Sequence, residues 1–303
     1  MKILLFGKNG QVGWELQRSL APLGELIALD SDSTDYCADF QQPDRLLETV
    51  LRIQPDVIVN AAAHTAVDKA ESEVDVVRKV NATAPGAIAK AAAQVGALMI
   101  HYSTDYVFDG SGELPRLETD LPNPLNVYGQ TKLEGEQLVA EHCDYHLIFR
   151  TSWVYAARGG NFAKTMLRLA KERDNLTVIN DQYGAPTGAE LLADVTAHAI
   201  RETLHDSSKA GLYHLVASGE TTWHGYARFV IAQAMAKGLA IKAVPVAITP
   251  VASSAFQAAA IRPQNSRLGT DKLQAVFGLV LPEWQIGVQR MLDEVFNKDQ
   301  SLS

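Results

Sequence analysis

The sequence has few cysteines, no excess of positive charge and no long apolar run. Its 303 residues include only two cysteines, Cys37 and Cys143, which lie far apart and outside any CxxC pair. This spacing gives no support to a disulfide framework or a cysteine metal site, and favours two reduced thiols in a cytosolic protein. The formal net charge of -8 argues against a general binder of nucleic acid or anionic membranes, because both need a basic face.

The missing apolar runs exclude two further kinds of segment. The first residues, MKILLFGKNG, hold only a short apolar run before a glycine loop, whereas a secretory signal needs a longer run and a cleavage site. The most apolar long window, residues 243–261, is interrupted by Pro245, Pro250 and several polar residues, so it does not resemble a membrane span. With 47% hydrophobic and 20% charged residues, we expect a soluble cytoplasmic protein with a sizeable core.

Short apolar runs alternate with helical segments through the first half of the chain. Strands are predicted at residues 3–6, 25–29, 56–60, 97–103 and 146–150, and helices at 11–20, 45–53, 74–95 (with Pro85 as a candidate kink) and 128–141. Strands that are apolar along their whole length and alternate with helices predict an α/β fold, a doubly wound parallel sheet of the Rossmann type.

The second half of the sequence has a looser pattern. After about Val154, turn-rich segments such as RGGN, DQYGAPTG and IRPQNSRLG become frequent. We therefore expect residues 1–154 to form a dinucleotide-binding domain. Residues 155–303 would form mainly a smaller, interleaved α/β substrate domain, with some segments returning to the first domain.

The first predicted strand runs into a glycine-rich loop. Gly7, Gly10 and Gly13 follow a GxxGxxG spacing at the first turn from strand to helix. Glycine permits the tight turn and lets backbone N–H groups approach a pyrophosphate, and the following helix offers its positive N-terminus to the anion. Three glycines alone also occur in plain turns, but their place in a doubly wound pattern favours a dinucleotide.

Acidic and small residues follow the next two predicted strands. Asp30 ends the second strand, where a carboxylate can bind a ribose 2′-hydroxyl, although the run DSDSTD also fits an ordinary turn. Asp30 alone favours NAD(H) because it would repel a 2′-phosphate, whereas Lys8 can offset that repulsion, so the cofactor preference stays open. Asp39-Phe40 is a candidate neighbour of the adenine. The alanines at 61–63 let a cofactor pass close to the backbone, or only start a tight loop.

Tyr128 and Lys132 stand four residues apart in the stretch YGQTK, so they share one face of a helix. A free tyrosine has a pKa of about 10, and a nearby ammonium lowers that pKa towards a value suited to proton transfer. The YxxxK pattern is common by chance, but the upstream glycine loop favours an acid/base pair for carbonyl reduction. Thr104 ends the strand before it, where a hydroxyl faces the ligand crevice; Ser103 is its competitor on the opposite side of the strand.

Five longer segments resemble the dTDP-4-dehydrorhamnose reductase family of extended short-chain dehydrogenases/reductases. They are STDYVFDG (103–110), NPLNVYGQTKLEGE (123–136), RTSWVY (150–155), DQYGAPT (181–187) and RPQNSRL (262–268), and they span nearly the whole chain. The resemblance implies the final step of dTDP-L-rhamnose synthesis for surface polysaccharide. That step reduces the C4 keto group of dTDP-4-dehydro-L-rhamnose with NADPH or NADH. Phe6 departs from the wider superfamily, in which a threonine often precedes the first glycine.

The resemblance also implies roles for individual residues. Tyr128 would donate the proton, Lys132 would support it and anchor the ribose, and the Thr104 hydroxyl would tune the site. The sugar would contact Thr104, Asp105 and Trp153. The cofactor would be lined by Gly7, Gly10, Gln11, Val12, Gly13, Asp30, Asp39, Phe40, Ala62, Ala63, His64, Thr65, Tyr128 and Lys132.

Members of the family are often homodimers with Mg²⁺ at the subunit interface. The resemblance nominates Glu15, Glu190 and a carboxylate near Asp293 or Glu294 as metal ligands, although each also fits an ordinary solvated surface acid.

Arg262 and Arg267 are candidate ligands for the substrate diphosphate, because guanidinium pairs well with phosphate. Surface or structural arginines would look the same in the sequence.

Two other functions stay open on the residues alone. One is a related nucleotide-sugar reductase or epimerase of the same fold. The other is a non-catalytic, dinucleotide-binding regulatory subunit, which would have no need for Thr104, Tyr128 and Lys132.

Overall fold

The computed structural model of the chain describes residues 1–300, with side chains up to residue 297. Its central strands are β1 (Lys2–Phe6), β2 (Glu25–Leu29), β3 (Val57–Asn60), β4 (Leu98–Thr104), β5 (His146–Thr151) and β10 (Gly211–His214). They form one six-stranded sheet in the order β2-β1-β3-β4-β5-β10, and every neighbouring pair is parallel. The doubly wound α/β sheet predicted from the sequence is confirmed.

Short strand pairs lie outside this sheet. They are β6 (Val154–Tyr155) with β9 (Thr187–Gly188), β7 (Leu176–Ile179) with β12 (Ile248–Val251), and β8 (Tyr183–Gly184) with β11 (Thr221–Thr222). The helices of the first half are α1 (Gln11–Leu20), α2 (Pro43–Ile53), α3 (Val67–Ala70), α4 (Val74–Arg78), α5 (Ala84–Val95) and α6 (Val127–His142). Those of the second half are α7 (Phe162–Glu172), α8 (Ala189–His205), α9 (Trp223–Ala236), α10 (Asp271–Phe277) and α11 (Trp284–Gln300).

Both faces of the sheet are buried, as a parallel sheet requires. In β1, Ile3 and Leu5 belong to the cluster that includes side chains of α1, α8 and α10, whereas Leu4 and Phe6 belong to the cluster that includes α2 and α5. Successive side chains of a strand point to opposite faces, so an unbroken apolar run serves two helical layers at once. This explains why the central strands could be found as short, fully apolar runs.

The helix predicted over residues 74–95 is divided by one turn of π-helix at Lys79–Thr83. Pro85 has no N–H to donate to the Asn81 carbonyl oxygen, so a regular α-helical hydrogen bond is missing there. That oxygen lies against Gly135 of α6, where a Cβ atom would come within 2.2 Å of it. The irregularity therefore precedes the proline and is a change of helix type.

The second half contains more regular structure than its turn-rich sequence suggested. Helix α8 contributes Leu192 and Ile200 to the cluster that also holds Leu16 of α1, and β10 pairs with β5. A separate cluster joins α7, α9 and α11 through Tyr226 and Trp284, among others. The division into two domains stays a prediction. Within residues 1–300, no helix combines the length and apolar character needed to cross a membrane.

Candidate functional site

The glycine loop lies at the carboxyl ends of β1 and β2. The N–H groups of Gly7 and Lys8 donate to the Leu29 carbonyl oxygen, at 2.9 and 3.2 Å. Gly7 has a φ of 84°, and a Cβ atom on it would lie 2.7 Å from the Ala62 nitrogen. A Cβ atom on Gly13 would lie 1.9 Å from the Gly7 carbonyl oxygen. Larger side chains are therefore excluded at two of the three glycines that the spacing singled out.

The N-terminus of α1 is exposed to this loop without a side-chain cap. Gly10 precedes the helix and offers no capping side chain, so the first N–H groups, from Gln11 to Gly13, have no partner within the helix. The side-chain oxygen Oε1 of Gln11 is also buried without a partner. Uncapped N–H groups beside glycine are what a pyrophosphate binds, so these residues fit a dinucleotide.

The acidic candidates of the loop region differ in their surroundings. Asp30 directly follows β2, and its carboxylate accepts hydrogen bonds from the backbone N–H of Asn9 (3.0 Å) and of Ser31 (2.7 Å). It therefore holds the glycine loop from the side where a ribose would lie. Asp39 accepts from the Gln41 N–H within its own turn, and Phe40 is 6% exposed and packs edge-on against Phe6. Phe40 is thus a core residue, which leaves its backbone for any cofactor contact.

The segment after β3, which includes Ala62, Ala63, His64 and Thr65, is held by two asparagines that sequence reasoning missed. Asn60 accepts the N–H of Ala62 at 3.1 Å. Asn81, in the π turn, accepts the N–H of His64 at 2.8 Å and donates to the His64 carbonyl oxygen at 3.1 Å. The sequence indicated Asn60 only as a polar residue at the end of the apolar strand DVIVN. No sequence pattern indicated the π turn that directs the Asn81 side chain towards His64.

Tyr128 and Lys132 lie in the first two turns of α6, close to the carboxyl end of β4. The Asn126 side chain caps this helix by accepting the Gly129 N–H at 2.8 Å, and it donates to the Ile261 carbonyl oxygen at 2.8 Å. Gly129 allows the helix to approach β4, since a Cβ atom there would lie 2.1 Å from the Tyr106 carbonyl oxygen. The Tyr128 ring then packs edge-on against the Tyr106 ring, with centroids 5.7 Å apart.

Thr104 and Asp105 lie beside Tyr128, which is hydrogen-bonded to the Thr104 side chain. The Thr104 hydroxyl donates to Asp105 Oδ1 at 3.1 Å and accepts the Tyr106 N–H at 3.2 Å. Burial raises the pKa of Asp105 to about 7, and hydrogen bonds from Ser266 and Thr104 partly oppose that rise. The second carboxylate oxygen of Asp105 is buried without a partner. Ser103, the competitor on β4, has a buried hydroxyl without a partner.

The pKa of Tyr128 shifts in the direction opposite to the sequence-based expectation. Burial raises the pKa of Tyr128 to about 12, while its hydrogen bond with Thr104 lowers it in part. The Lys132 amine is engaged elsewhere: it donates to the Tyr102 carbonyl oxygen at 2.5 Å and lies 3.4 Å from His101 Nε2. Burial lowers the pKa of Lys132 to about 8, against the opposing charge of Glu136.

A cleft of about 270 Å³ reaches Tyr106, the residue whose ring packs against that of Tyr128. It is lined by Tyr106, Trp223, Gln182, Phe256, Arg262 and neighbouring apolar residues. Trp153 stacks on Trp223 with ring centroids 3.7 Å apart, and it is one of two non-glycine residues with positive φ, at 50°, among those described. A side chain held in this rare backbone conformation is typical of functional sites.

The two candidate diphosphate arginines are not brought together. Arg262 lines the cleft, but its guanidinium pairs with Asp68 at 2.6 Å. Arg267 lines a different cavity and pairs with Glu220 at 2.5 Å. Arg262 is therefore the only one of the two beside the cleft.

The sequence is similar to known proteins over almost its whole length. The family described as "RmlD substrate binding domain" matches residues 1–297. A dTDP-4-dehydrorhamnose reductase of Shigella flexneri is 64% identical over 296 residues, which cover 98% of both chains. The chain belongs to the dTDP-4-dehydrorhamnose reductase family. The resemblance noted from five short segments is confirmed over almost its whole length.

Solved structures of the reductase family share the fold. A dTDP-4-dehydrorhamnose reductase of Clostridium acetobutylicum superposes with a TM-score of 0.88 at 36% identity, covering 98% of this chain and all of that one. One from Bacillus anthracis, solved in complex with NADP, gives a TM-score of 0.85 at 34% identity and covers 97% and 99% of the two chains.

The metal ligands that the reductase family suggested are paired with arginines in this chain. Glu15 contacts Arg18 at 3.4 Å, and Glu190 contacts Arg290 at 3.2 Å. Among the described residues no three His, Cys, Asp or Glu side chains come together as a metal site. Glu15, Glu190 and Glu294 nevertheless line one cavity, Asp293 pairs with Lys237 at 2.7 Å, and Mg²⁺ stays a prediction.

Proposed function

We propose that this chain reduces the C4 keto group of dTDP-4-dehydro-L-rhamnose to give dTDP-L-rhamnose, using NADPH or NADH. The observation that carries the proposal is the placement of Thr104, Tyr128 and Lys132. All three lie at the carboxyl edge of the parallel sheet, the edge that also holds the glycine loop. Ligands of open α/β sheets bind at this edge, and the curated relatives with this name match at up to 64% identity.

The chemistry of the site suits reduction. A nicotinamide cofactor held by the glycine loop and Lys132 would supply the hydride for C4 of the sugar. Tyr128, whose pKa is raised to about 12, keeps its proton at neutral pH until negative charge develops on the sugar oxygen, and then donates it. Thr104 would turn its hydroxyl proton from Asp105 Oδ1 to the same oxygen and so stabilise the developing charge. Because both groups are buried, their interactions with that charge are little screened by water.

The cofactor would lie along the glycine loop. Its pyrophosphate would meet the backbone of Gly7, Gly10, Gln11, Val12 and Gly13, and Asp30 would meet the adenosine ribose. The segment Ala62–Thr65 would line the adjoining part, and Lys132 would anchor the nicotinamide ribose. The NADP complex of the Bacillus anthracis relative supports a cofactor in this family, and the choice between NADPH and NADH stays open.

The sugar nucleotide would occupy the cleft that Tyr106 lines, and it would reach Tyr128 past the Tyr106 ring. Asp105 has an unpartnered buried oxygen that can accept a sugar hydroxyl, and the Trp153 ring can pack against the sugar. Arg262 lines the cleft and would bind the diphosphate. In doing so it would give up part of its ion pair with Asp68. Arg267 is not assigned this role, because it lines another cavity.

The test is oxidation of NADPH or NADH, followed by absorbance, with dTDP-4-dehydro-L-rhamnose generated in situ. Tyr128→Phe should lower kcat by about 10²–10⁴-fold, the contribution of a positioned proton donor, while dinucleotide binding persists. Tyr145→Phe is the matched control, because its hydroxyl donates to the Thr203 carbonyl oxygen away from the site. Tight cofactor binding without turnover would support the regulatory subunit instead, and turnover only with another nucleotide sugar would support a sibling enzyme.

Three further properties belong to the proposal only by family resemblance. They are a homodimer, Mg²⁺ at its interface and a cytoplasmic location. Glu15 and Glu190 are paired with arginines and line one cavity together with Glu294, and no step of the reaction is assigned to a metal.

A further inference from the structure

A directed chain of hydrogen bonds runs from the end of β3 to the Lys132 amine. It starts at Asn60, which is 1% exposed and whose Oδ1 accepts the Ala62 N–H at 3.1 Å. The Nδ2 atom of Asn60 lies 3.1 Å from His101 Nδ1. The amide cannot be turned over, because its NH₂ group would then face the Ala62 N–H and two donors would meet. The Asn60 side chain is therefore a fixed donor towards His101.

This fixed donor decides which nitrogen of His101 carries the proton. His101 is fully buried, and burial together with the charge of Lys132 holds its pKa well below the usual value, so the ring is neutral. A neutral imidazole has one N–H and one acceptor nitrogen. Because Nδ1 accepts from Asn60, the proton is on Nε2. That N–H faces the Lys132 nitrogen, 3.4 Å away.

An N–H directed at an amine discriminates between the two protonation states of that amine. An ammonium has no lone pair and repels the N–H, whereas a neutral amine accepts a hydrogen bond from it. We propose that His101 is a positioning residue that favours the neutral amine of Lys132 and so sets the pH at which Lys132 gives up its proton. Asn60 acts one step further back, by fixing the tautomer of His101.

This inference deepens the proposed reductase function and rests on it for its purpose. In each turnover Tyr128 gives a proton to the sugar oxygen and must be protonated again before the next. The pKa of Lys132 is lowered to about 8 by burial, and the geometry of His101 acts in the same direction. An amine whose pKa lies near neutral pH changes its charge within the range of the assay, so the pH profile of reduction depends on it.

Other groups around Lys132 also affect its proton. Glu136, one helical turn away, opposes the loss of charge, and its own charge is shared with Arg150 in a buried ion pair. The charged groups that act on the pair are Glu136 on Lys132 and His146 on His101, while Tyr128 shares the helix of Lys132 and Arg150 pairs with Glu136. The Tyr102 carbonyl oxygen accepts from the Lys132 amine and favours its charged form. A substitution that tests His101 must therefore leave these groups in place.

The first experiment is independent of activity. Protein labelled with ¹⁵N-histidine would be examined by NMR between about pH 5 and pH 8, the range in which an ordinary histidine loses its charge. We expect His101 to be neutral throughout, with its proton on Nε2. A proton on Nδ1, or a charged ring in this range, would overturn the proposal whatever the enzyme does.

The second experiment removes the N–H. His101→Phe keeps a ring of similar size but has no donor, and His214→Phe is the matched control because His214 is also fully buried, at the end of β10. The titration of Lys132 would be followed through its ¹³Cε signal, beside the pH profile of kcat/KM. We expect both to move upward by about one pH unit in His101→Phe, the scale of one hydrogen bond to a charged group, and to stay in place in His214→Phe.

The outcomes separate this inference from the proposed function. An unchanged Lys132 titration in folded His101→Phe would overturn the role of His101, even if reduction is confirmed. Absence of reduction with a shifted Lys132 titration would remove the reductase proposal and leave the His101–Lys132 coupling intact. If His101→Phe does not fold, the tautomer of His101 in the unaltered protein still tests the proposal.

Discussion

The buried ion pair between Glu136 and Arg150 allows a test of how much burial increases the contribution of an ion pair to stability. The side chains are only 6% and 4% exposed, and three hydrogen bonds join them, at 2.9, 3.2 and 2.6 Å. The Arg150 guanidinium also lies over the Phe108 ring at 5.0 Å. Glu136→Gln keeps the shape of the side chain and removes its charge, so Arg150 would remain buried without a counter-charge.

We expect Glu136→Gln to lower the free energy of unfolding by about 3–5 kcal/mol, the usual cost of breaking a buried pair from one side. The matched control is Glu172→Gln, which breaks the pair of Glu172 with Arg168 on the surface of α7. Those side chains are 53% and 61% exposed, and their atoms lie 3.1 Å apart. Water screens such a pair, so its loss should cost only about 0.3–0.5 kcal/mol. The two variants differ in burial and share the same change of chemistry.

Urea denaturation followed by circular dichroism measures both variants. With a slope of about 3 kcal/mol per molar urea, the upper value for small proteins, Glu136→Gln should shift the midpoint down by about 1–1.7 M. Glu172→Gln should shift it by about 0.1–0.2 M. Equal shifts in the two variants would refute the reasoning, because burial would then have no influence on the value of the pair.

Two further predictions concern the glycine loop and Asp105. Gly13→Ala should weaken NADPH binding at least about tenfold, as measured by calorimetry. The new Cβ atom would lie 1.9 Å from the Gly7 carbonyl oxygen, so the loop would have to move. Unchanged affinity would show that the loop does not hold the pyrophosphate. Burial raises the pKa of Asp105 to about 7, so its contribution to stability is lost as pH rises from its unfolded value towards 7. Asp105→Asn does not titrate, and in urea titrations its stability relative to the unaltered protein should rise by about 2–3 kcal/mol from pH 5 to pH 8; a constant difference would contradict the raised pKa.

The central strands could be predicted because burial leaves a local mark in the sequence. Residues 25–29 were predicted as a strand from five residues and form β2 with the same bounds. The helix at 11–20 was likewise predicted with the bounds of α1. Both elements follow from side-chain polarity within one short window, which a reader of the sequence can see directly.

Features that depend on distant partners left no such mark. Strand β10 is four residues long and is a strand because β5 lies beside it. Arg262 and Arg267 look alike in the sequence, and only tertiary contacts place one in the cleft and the other in a separate cavity. The expected effect of Lys132 on Tyr128 followed from helical spacing, but the Tyr102 carbonyl oxygen on another strand takes the amine instead.

The attachment of the site to the last part of the chain has a consequence for the order of events during protein synthesis. Asn126, which caps the catalytic helix, donates to the carbonyl oxygen of Ile261, 135 residues later, and Asp68 pairs with Arg262, 194 residues later. Synthesis proceeds from the N-terminus, so the first five strands of the sheet emerge well before these partners exist. A nascent chain can thus assemble most of its sheet while the cleft still lacks one wall. The chain can form the complete cleft for the sugar nucleotide only after most of the final quarter of the polypeptide has been made.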